Sequence, residues 1–282
     1  MKKVAVIQDL SSFGKCSLTA AIPVLSVMGV HACPLPTAIL SAQTGYPSYY
    51  FEDFTSKMNH FTDEWSKLNV TFDGIATGFV TGEEQIHNIF QFFERFYKRE
   101  TVLLVDPVMG DTGEVYKIFT DKLLILMREL VKHADVLTPN VTECCLLTGI
   151  SYEKLHSFSN EKDYLKAIEE AGIRLQQETS AQVIVTGINP PAIDGEKQYI
   201  GNMYLDGHKT FYRAMPYNGK SFSGTGDLFA SVIMGSLMRG DQLEESVKLA
   251  MAFLSEAIKD ATTAEVPEVE GVYFEKYLSM LL

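Results

Sequence analysis

Short apolar runs alternate with amphipathic stretches from the first residues onward, and no other feature of the chain narrows its possible folds as much. Val4 to Ile7, Ala32 to Leu40, Gly74 to Val80, Thr101 to Val105, Asp135 to Leu137 and Gln182 to Thr186 read as buried strands. Leu18 to Met28, Asp53 to Leu68, Glu83 to Lys98, Asp121 to Lys132, Val141 to Leu147 and Asp163 to Glu178 read as helices. Strand and helix repeated this way predict an α/β fold with a mostly parallel sheet covered by helices on both faces. The rhythm changes at Tyr199 to Leu205 and Thr210 to Met215, which flank the turn signal Asp206-Gly207 and predict a hairpin near the sheet edge. Helices follow at Asp227 to Met238, Glu244 to Ala261 and Tyr273 to Leu281. With no linker-like tract, repeat or low-complexity segment between these elements, residues 1–282 read as a single domain.

A net charge of −12 argues against a nucleic-acid surface or a polybasic membrane patch. No apolar run approaches the roughly 18–20 residues of a membrane span. The run Val4 to Ile7 is too short for a signal sequence and Asp9 follows at once, so a soluble, cytoplasmic protein is expected. Cys16, Cys33, Cys144 and Cys145 lack the paired spacing of a zinc site and are expected to be reduced, with Cys144 and Cys145 in the core. His31, His60, His87, His133, His156 and His208 share no spacing that suggests a metal or a triad.

The stretch Phe222-Ser223-Gly224-Thr225-Gly226-Asp227-Leu228-Phe229 sets two glycines and a carboxylate at a helix start, since Leu228, Phe229, Val232, Ile233 and Leu237 continue at helical spacing. Amides at a helix start and the positive end of the dipole make an anion site, and glycines let a phosphate approach closely. Asp227 there can take a proton from an attacking hydroxyl, although Asp also commonly caps helices.

In open parallel sheets, ligands bind beyond the carboxyl ends of the strands. Asp9, Thr44, Asp106, Asp111, Asn140, Glu143 and Thr186 all fall at such places. Asp106-Pro107-Val108-Met109-Gly110-Asp111 holds two carboxylates, and in Thr138-Pro139-Asn140-Val141-Thr142-Glu143 the Asn and Glu also suit a capping box. Carboxylates converging on a phosphate site call for a cation, and Asp106 and Glu143 are candidates for a water-mediated Mg²⁺ shell. The polar segment Asp111 to Lys117 is a candidate mobile flap or an ordinary surface loop. Lys15 reads as solvent-facing, because no GxxxxGK[ST] surrounds it.

The segments at Asp106 to Asp111, Thr138 to Glu143 and Gly224 to Phe229, in this order within the alternation, resemble the ribokinase superfamily. Within it, Val4 to Asp9 and Ser41-Ala42-Gln43-Thr44-Gly45-Tyr46 resemble pyridoxal kinases, which phosphorylate the 5′-hydroxymethyl of vitamin B6 forms with ATP. The resemblance implies a ribokinase-like three-layer sandwich, Asp227 as the base, and Gly224, Thr225 and Gly226 lining the anion hole. It implies B6 contacts from Asp9, Thr44 and Phe79, where relatives often have Ser at the first position and Tyr at the last. It also implies nucleotide contacts from Thr186, Ser223 and Asn140, Mg²⁺ near Asp106 and Glu143, a monovalent cation such as K⁺, and a homodimer. An aspartate at position 9 would favour a protonated ring nitrogen. The rival readings are a hydroxymethylpyrimidine or sugar kinase of the same superfamily and a non-catalytic binder of a B6 vitamer or nucleotide. The absence of GxGxxG after the first strand argues against a dinucleotide-binding dehydrogenase.

Overall fold

The computed structural model describes residues 1–191, 198–207 and 209–282, so His208 lies outside the described residues. The chain forms two compact units, Met1–Leu104 with Ser221–Leu282 and Val105–Lys220.

The first unit opens with β1 (Lys3–Ser11), α1 (Ser17–Val27), β2 (His31–Leu40), β3 (Phe51–Asp53), α2 (Thr55–Lys67), β4 (Gly74–Thr77), α3 (Glu83–Phe96) and β5 (Val102–Val105), whose last residue begins the second unit. Both faces of β1 are covered, so Val4, Ala5, Val6 and Ile7 are all at most 2% exposed and an unbroken apolar run is what the position requires. β1 pairs in parallel with β2 on one side and β4 on the other. The short β3 runs antiparallel to the last three residues of β2. It sits where sequence reading begins a helix at Asp53. Asp53 instead ends a strand, and its carboxylate accepts the Thr55 amide at 2.7 Å. Pro34 and Pro36 lie two apart in β2, so their missing donors share one edge, and β3 covers only Ala38–Leu40.

The second unit continues with β6 (Gly110–Asp111), β7 (Glu114–Val115), α4 (Asp121–Leu130), β8 (Val136–Leu137), α5 (Val141–Thr148), α6 (Tyr152–His156), α7 (Glu161–Thr179), β9 (Gln182–Ile188), β10 (Tyr199–Leu205) and β11 (Thr210–Pro216). β8 and β9 are parallel, and β9, β10 and β11 are successively antiparallel, which makes β10–β11 the expected hairpin with β11 at the edge. Asp206 begins its turn, accepting the Lys209 amide on its side chain at 2.9 Å.

The chain then returns to the first unit with α8 (Thr225–Arg239) and α9 (Leu243–Thr263). α8 packs on α1 and α9, burying Leu228, Phe229, Val232 and Ile233. The expected last helix is a 3₁₀ helix, Phe274–Leu281, anchored by buried Phe274 and Leu281. The mostly parallel sheet with flanking helices is therefore present as expected. Sequence reading missed β3, the β6–β7 ribbon and α6, each of five residues or fewer and too short to show a period. Among the described residues, no helix is long and apolar enough to cross a membrane.

Candidate active site

The start of α8 follows from local backbone geometry. Gly224 is the N-cap, at φ +81°, and a Cβ there would lie 2.0 Å from the Lys15 carbonyl oxygen. Only glycine lets the chain turn into the helix this close to the Lys15–Cys16 backbone. The first intrahelical bond runs from Leu228 N to Gly224 O at 3.0 Å, so the amides of Thr225 and Gly226 precede it. Gly226 is exposed, with no neighbouring heavy atom within 4 Å of its Cβ position, which leaves room for a ligand against the helix end. Asp227 is the third helical residue and half-buried, so glycine and not aspartate occupies the cap. Thr225 donates its hydroxyl to the Phe222 carbonyl at 3.0 Å, which fixes the turn before the helix.

Asp9 lies where the β1–β2 register shifts between Gln8 and Leu10, an irregularity that re-aims side chains at a strand end. It is 5% exposed and accepts the Ser11 hydroxyl at 2.7 Å. Burial pushes its carboxyl above the usual range, with the Ser17 and Ser11 hydroxyls pulling it partly back. Cys16, the N-cap of α1, lies within electrostatic reach of both Asp227 and Asp9. Burial first, and then Asp227 and Asp9, hold its thiol protonated. The structure thus brings Asp9, Cys16 and Asp227 together in the first unit.

Thr44 and Phe79 lie beyond the carboxyl ends of β2 and β4, the two strands that flank β1. Gly78 N bonds Ile7 O at 3.0 Å, which extends the ladder and sets Phe79 level with Asp9. Phe79 is half-buried, and Thr44 is exposed on a turn tied to the Ser11–Lys15 loop by Gln43 N to Phe13 O at 2.9 Å. On that loop Phe13 is 55% exposed and meets the Tyr46 ring at 5.3 Å and 54°, forming an aromatic wall that sequence reading missed. Lys15 is half-buried, and its ammonium pairs with the exposed Glu275 at 2.7 Å and stands 4.6 Å from the Tyr273 ring centroid.

In the second unit, Asp106 follows β5, Asn140 lies beyond β8, and Thr186 stands inside β9 two residues before its end, with Asn140 and Thr186 bridged as neighbours. The capping box expected at Asn140 and Glu143 is formed. Asn140 Oδ1 accepts the Glu143 amide at 2.9 Å and Glu143 accepts the Asn140 amide at 2.8 Å. The same side chains reach back to the β6–β7 ribbon. Asn140 Nδ2 donates to Gly110 O at 2.8 Å, and Met109 N donates to Glu143 at 3.1 Å. The candidate flap is therefore a hairpin whose tip, Thr112-Gly113, has φ of +52° and +85° as a type I′ turn demands. Gly113 N donates to Thr142 Oγ1 at 2.9 Å, and its Cα stands against the Tyr152 ring.

Burial pushes the Asp106 carboxyl up to about 7, partly offset by the Thr138 hydroxyl. Glu143 is raised by burial and then by Asp106, against the lowering effect of the Asn140 and Met109 amides. Two crowded carboxylates favour a proton or a cation between them. Among the described residues no group of three or more His, Cys, Asp or Glu side chains forms a cage for a metal ion. The two carboxylates Asp106 and Glu143 would suit Mg²⁺ held through water and substrate phosphate.

The phosphomethylpyrimidine kinase family matches residues 12–270. A crystal structure, with pyridoxal, of a candidate phosphomethylpyrimidine kinase from Bacteroides thetaiotaomicron superposes with a TM-score of 0.88 at 37% identity, covering 99% of this chain and 95% of that one. A pyridoxal kinase from Dictyostelium discoideum is 26% identical over 252 residues, 84% of this chain and 78% of the relative. A hydroxymethylpyrimidine/phosphomethylpyrimidine kinase from Bacillus subtilis is 26% identical over 261 residues, 91% of this chain and 82% of the relative. These matches bear out both the resemblance to pyridoxal kinases and the ribokinase-like α/β sandwich. The chain belongs to the phosphomethylpyrimidine kinase family and is a kinase of the phosphomethylpyrimidine and pyridoxal kinase kind within the ribokinase superfamily.

Proposed function

We propose that the protein transfers the γ-phosphoryl group of ATP to the 5′-hydroxymethyl of a B6 vitamer: pyridoxal, pyridoxine or pyridoxamine. The observation that carries this reading is the open, glycine-framed start of α8 with Asp227 in its first turn. Phosphoryl transfer passes through a loose transition state, so the protein's work is positioning and charge stabilisation. Thr225 and Gly226 amides, with the positive end of the helix dipole, hold the transferring group, while Asp227 accepts the alcohol proton. Asp9, Thr44 and Phe79 bind the ring, and Ser223, Asn140 and Thr186 contact the nucleotide. Asp106 and Glu143 would hold Mg²⁺ through water, where it would neutralise phosphate charge, and a monovalent cation such as K⁺ would assist.

Pyridoxal in the Bacteroides structure supports a B6 substrate. The family match and the Bacillus relative favour hydroxymethylpyrimidine as a second reading, since both molecules are small nitrogen heterocycles with a hydroxymethyl arm. Comparison of kcat/KM for the three vitamers and hydroxymethylpyrimidine, with ATP and Mg²⁺, decides between them. No phosphorylated product from any of the four would leave a non-catalytic binder and refute the proposal.

A further inference from the structure

Gln43 stands beside the exposed Thr44, yet it is only 9% exposed. Its amide is engaged at both ends. Gly45 N donates to Oε1 at 2.7 Å, while Nε2 donates to Val269 O at 2.9 Å and to Ser223 Oγ at 3.2 Å. A backbone N–H can only donate and a carbonyl oxygen can only accept, so two independent neighbours set the same orientation of the amide. Packing fixes it further, since a Cβ on Gly14 would lie 2.7 Å from Gln43 Cγ. Residues 268–270 also strap the surrounding loops, with Ser223 N bonding Glu268 O at 2.9 Å and Lys15 N bonding Glu270 O at 3.1 Å.

This orientation has a chemical consequence for Ser223. Its oxygen is the acceptor in the bond from Gln43, so its own proton remains available for a different acceptor. Ser223 directly precedes Gly224 at the start of α8. We propose that Gln43 is a positioning residue that makes Ser223 a hydroxyl donor to a phosphate oxygen of a nucleoside di- or triphosphate. The proposal rests on the reading that the start of α8 receives phosphate.

The test is ADP affinity, measured by calorimetry, for wild type, Gln43→Glu, Gln43→Met, Ser223→Ala and the two double variants. A carboxylate at position 43 accepts the Ser223 proton and adds negative charge, so Gln43→Glu should weaken ADP binding about 10- to 100-fold. Methionine cannot take that proton and should weaken binding far less. Ser223→Ala should cost about tenfold in wild type and clearly less in the Gln43→Met background, where the hydroxyl is no longer aimed. Equal cost of Ser223→Ala in both backgrounds overturns the proposal, and that comparison stands even where Gln43→Glu folds poorly. So does a change in KM for the alcohol alone with ADP affinity unchanged, which would place Gln43 against the alcohol. Product formation is scored separately, so a wild type that binds ADP but phosphorylates nothing refutes the kinase reading while the ADP cycle still decides the role of Gln43.

Discussion

Gly224 and Gly226 are separated by one residue, and the structure gives them opposite parts in stability. Alanine at 224 would have to adopt φ near +81°, at a cost of about 1–2 kcal/mol for an L-residue in the left-handed region. Its methyl would also lie 2.0 Å from the Lys15 carbonyl oxygen and 2.9 Å from Cys16 Cα, both backbone atoms that cannot swing aside. Relieving that overlap adds about 1–3 kcal/mol. Gly224→Ala should therefore lose about 2–5 kcal/mol, a fall in Tm of about 5–15 °C. Gly226 lies inside the helix with nothing near its Cβ position, so Gly226→Ala should gain about 0.5–1 kcal/mol from helix propensity. The same methyl occupies the space where a phosphate approaches, and kcat/KM for ATP should fall about tenfold or more. Thermal melts and steady-state kinetics on both variants, with and without ADP, test the argument. Gly224→Ala melting with wild type, or Gly226→Ala losing as much as Gly224→Ala, would refute it.

Asp227→Asn should lower kcat about a hundredfold or more while ADP affinity is retained, and near-normal turnover rules Asp227 out as the base. In Mg²⁺-free protein, the raised pKa of Asp106 sets the sign of a pH effect: its stabilising contribution is complete below pH 4 and is lost as pH rises through about 7. Asp106→Asn should reduce that loss, so urea titrations at pH 5 and pH 8 that show the same pH dependence in both proteins contradict the prediction. Asp9→Asn keeps the shape of the side chain but removes its charge, and a contact with the ring nitrogen should appear as an alcohol KM raised about tenfold with kcat less affected. Unchanged kinetics with a lowered Tm would assign Asp9 to holding Ser11 and Ser17.

Sequence patterning disclosed the long buried strands and the amphipathic helices because burial imposes a period on the side chains. β1 and α8 were legible for that reason, and the Asn140–Glu143 box was legible because its chemistry lies within four residues. Gln43 was not. Its partners Ser223 and Val269 stand 180 and 226 positions away, and no local pattern encodes them. The partner of Lys15 was hidden for the same reason, since Glu275 is 260 residues distant. The aromatic wall of Phe13 and Tyr46 escaped notice because neither residue belongs to a periodic segment.

The course of the chain through the first unit bears on its synthesis. α1 leaves the ribosome early, yet the helix packed on it, α8, begins at Thr225, after the whole of Val105–Lys220 has been made. Until then the nascent amino-terminal segment carries an apolar face awaiting its partner, which invites chaperone attention. A message truncated before codon 221 should yield an aggregation-prone product lacking both Asp227 and the helix that closes the core around α1.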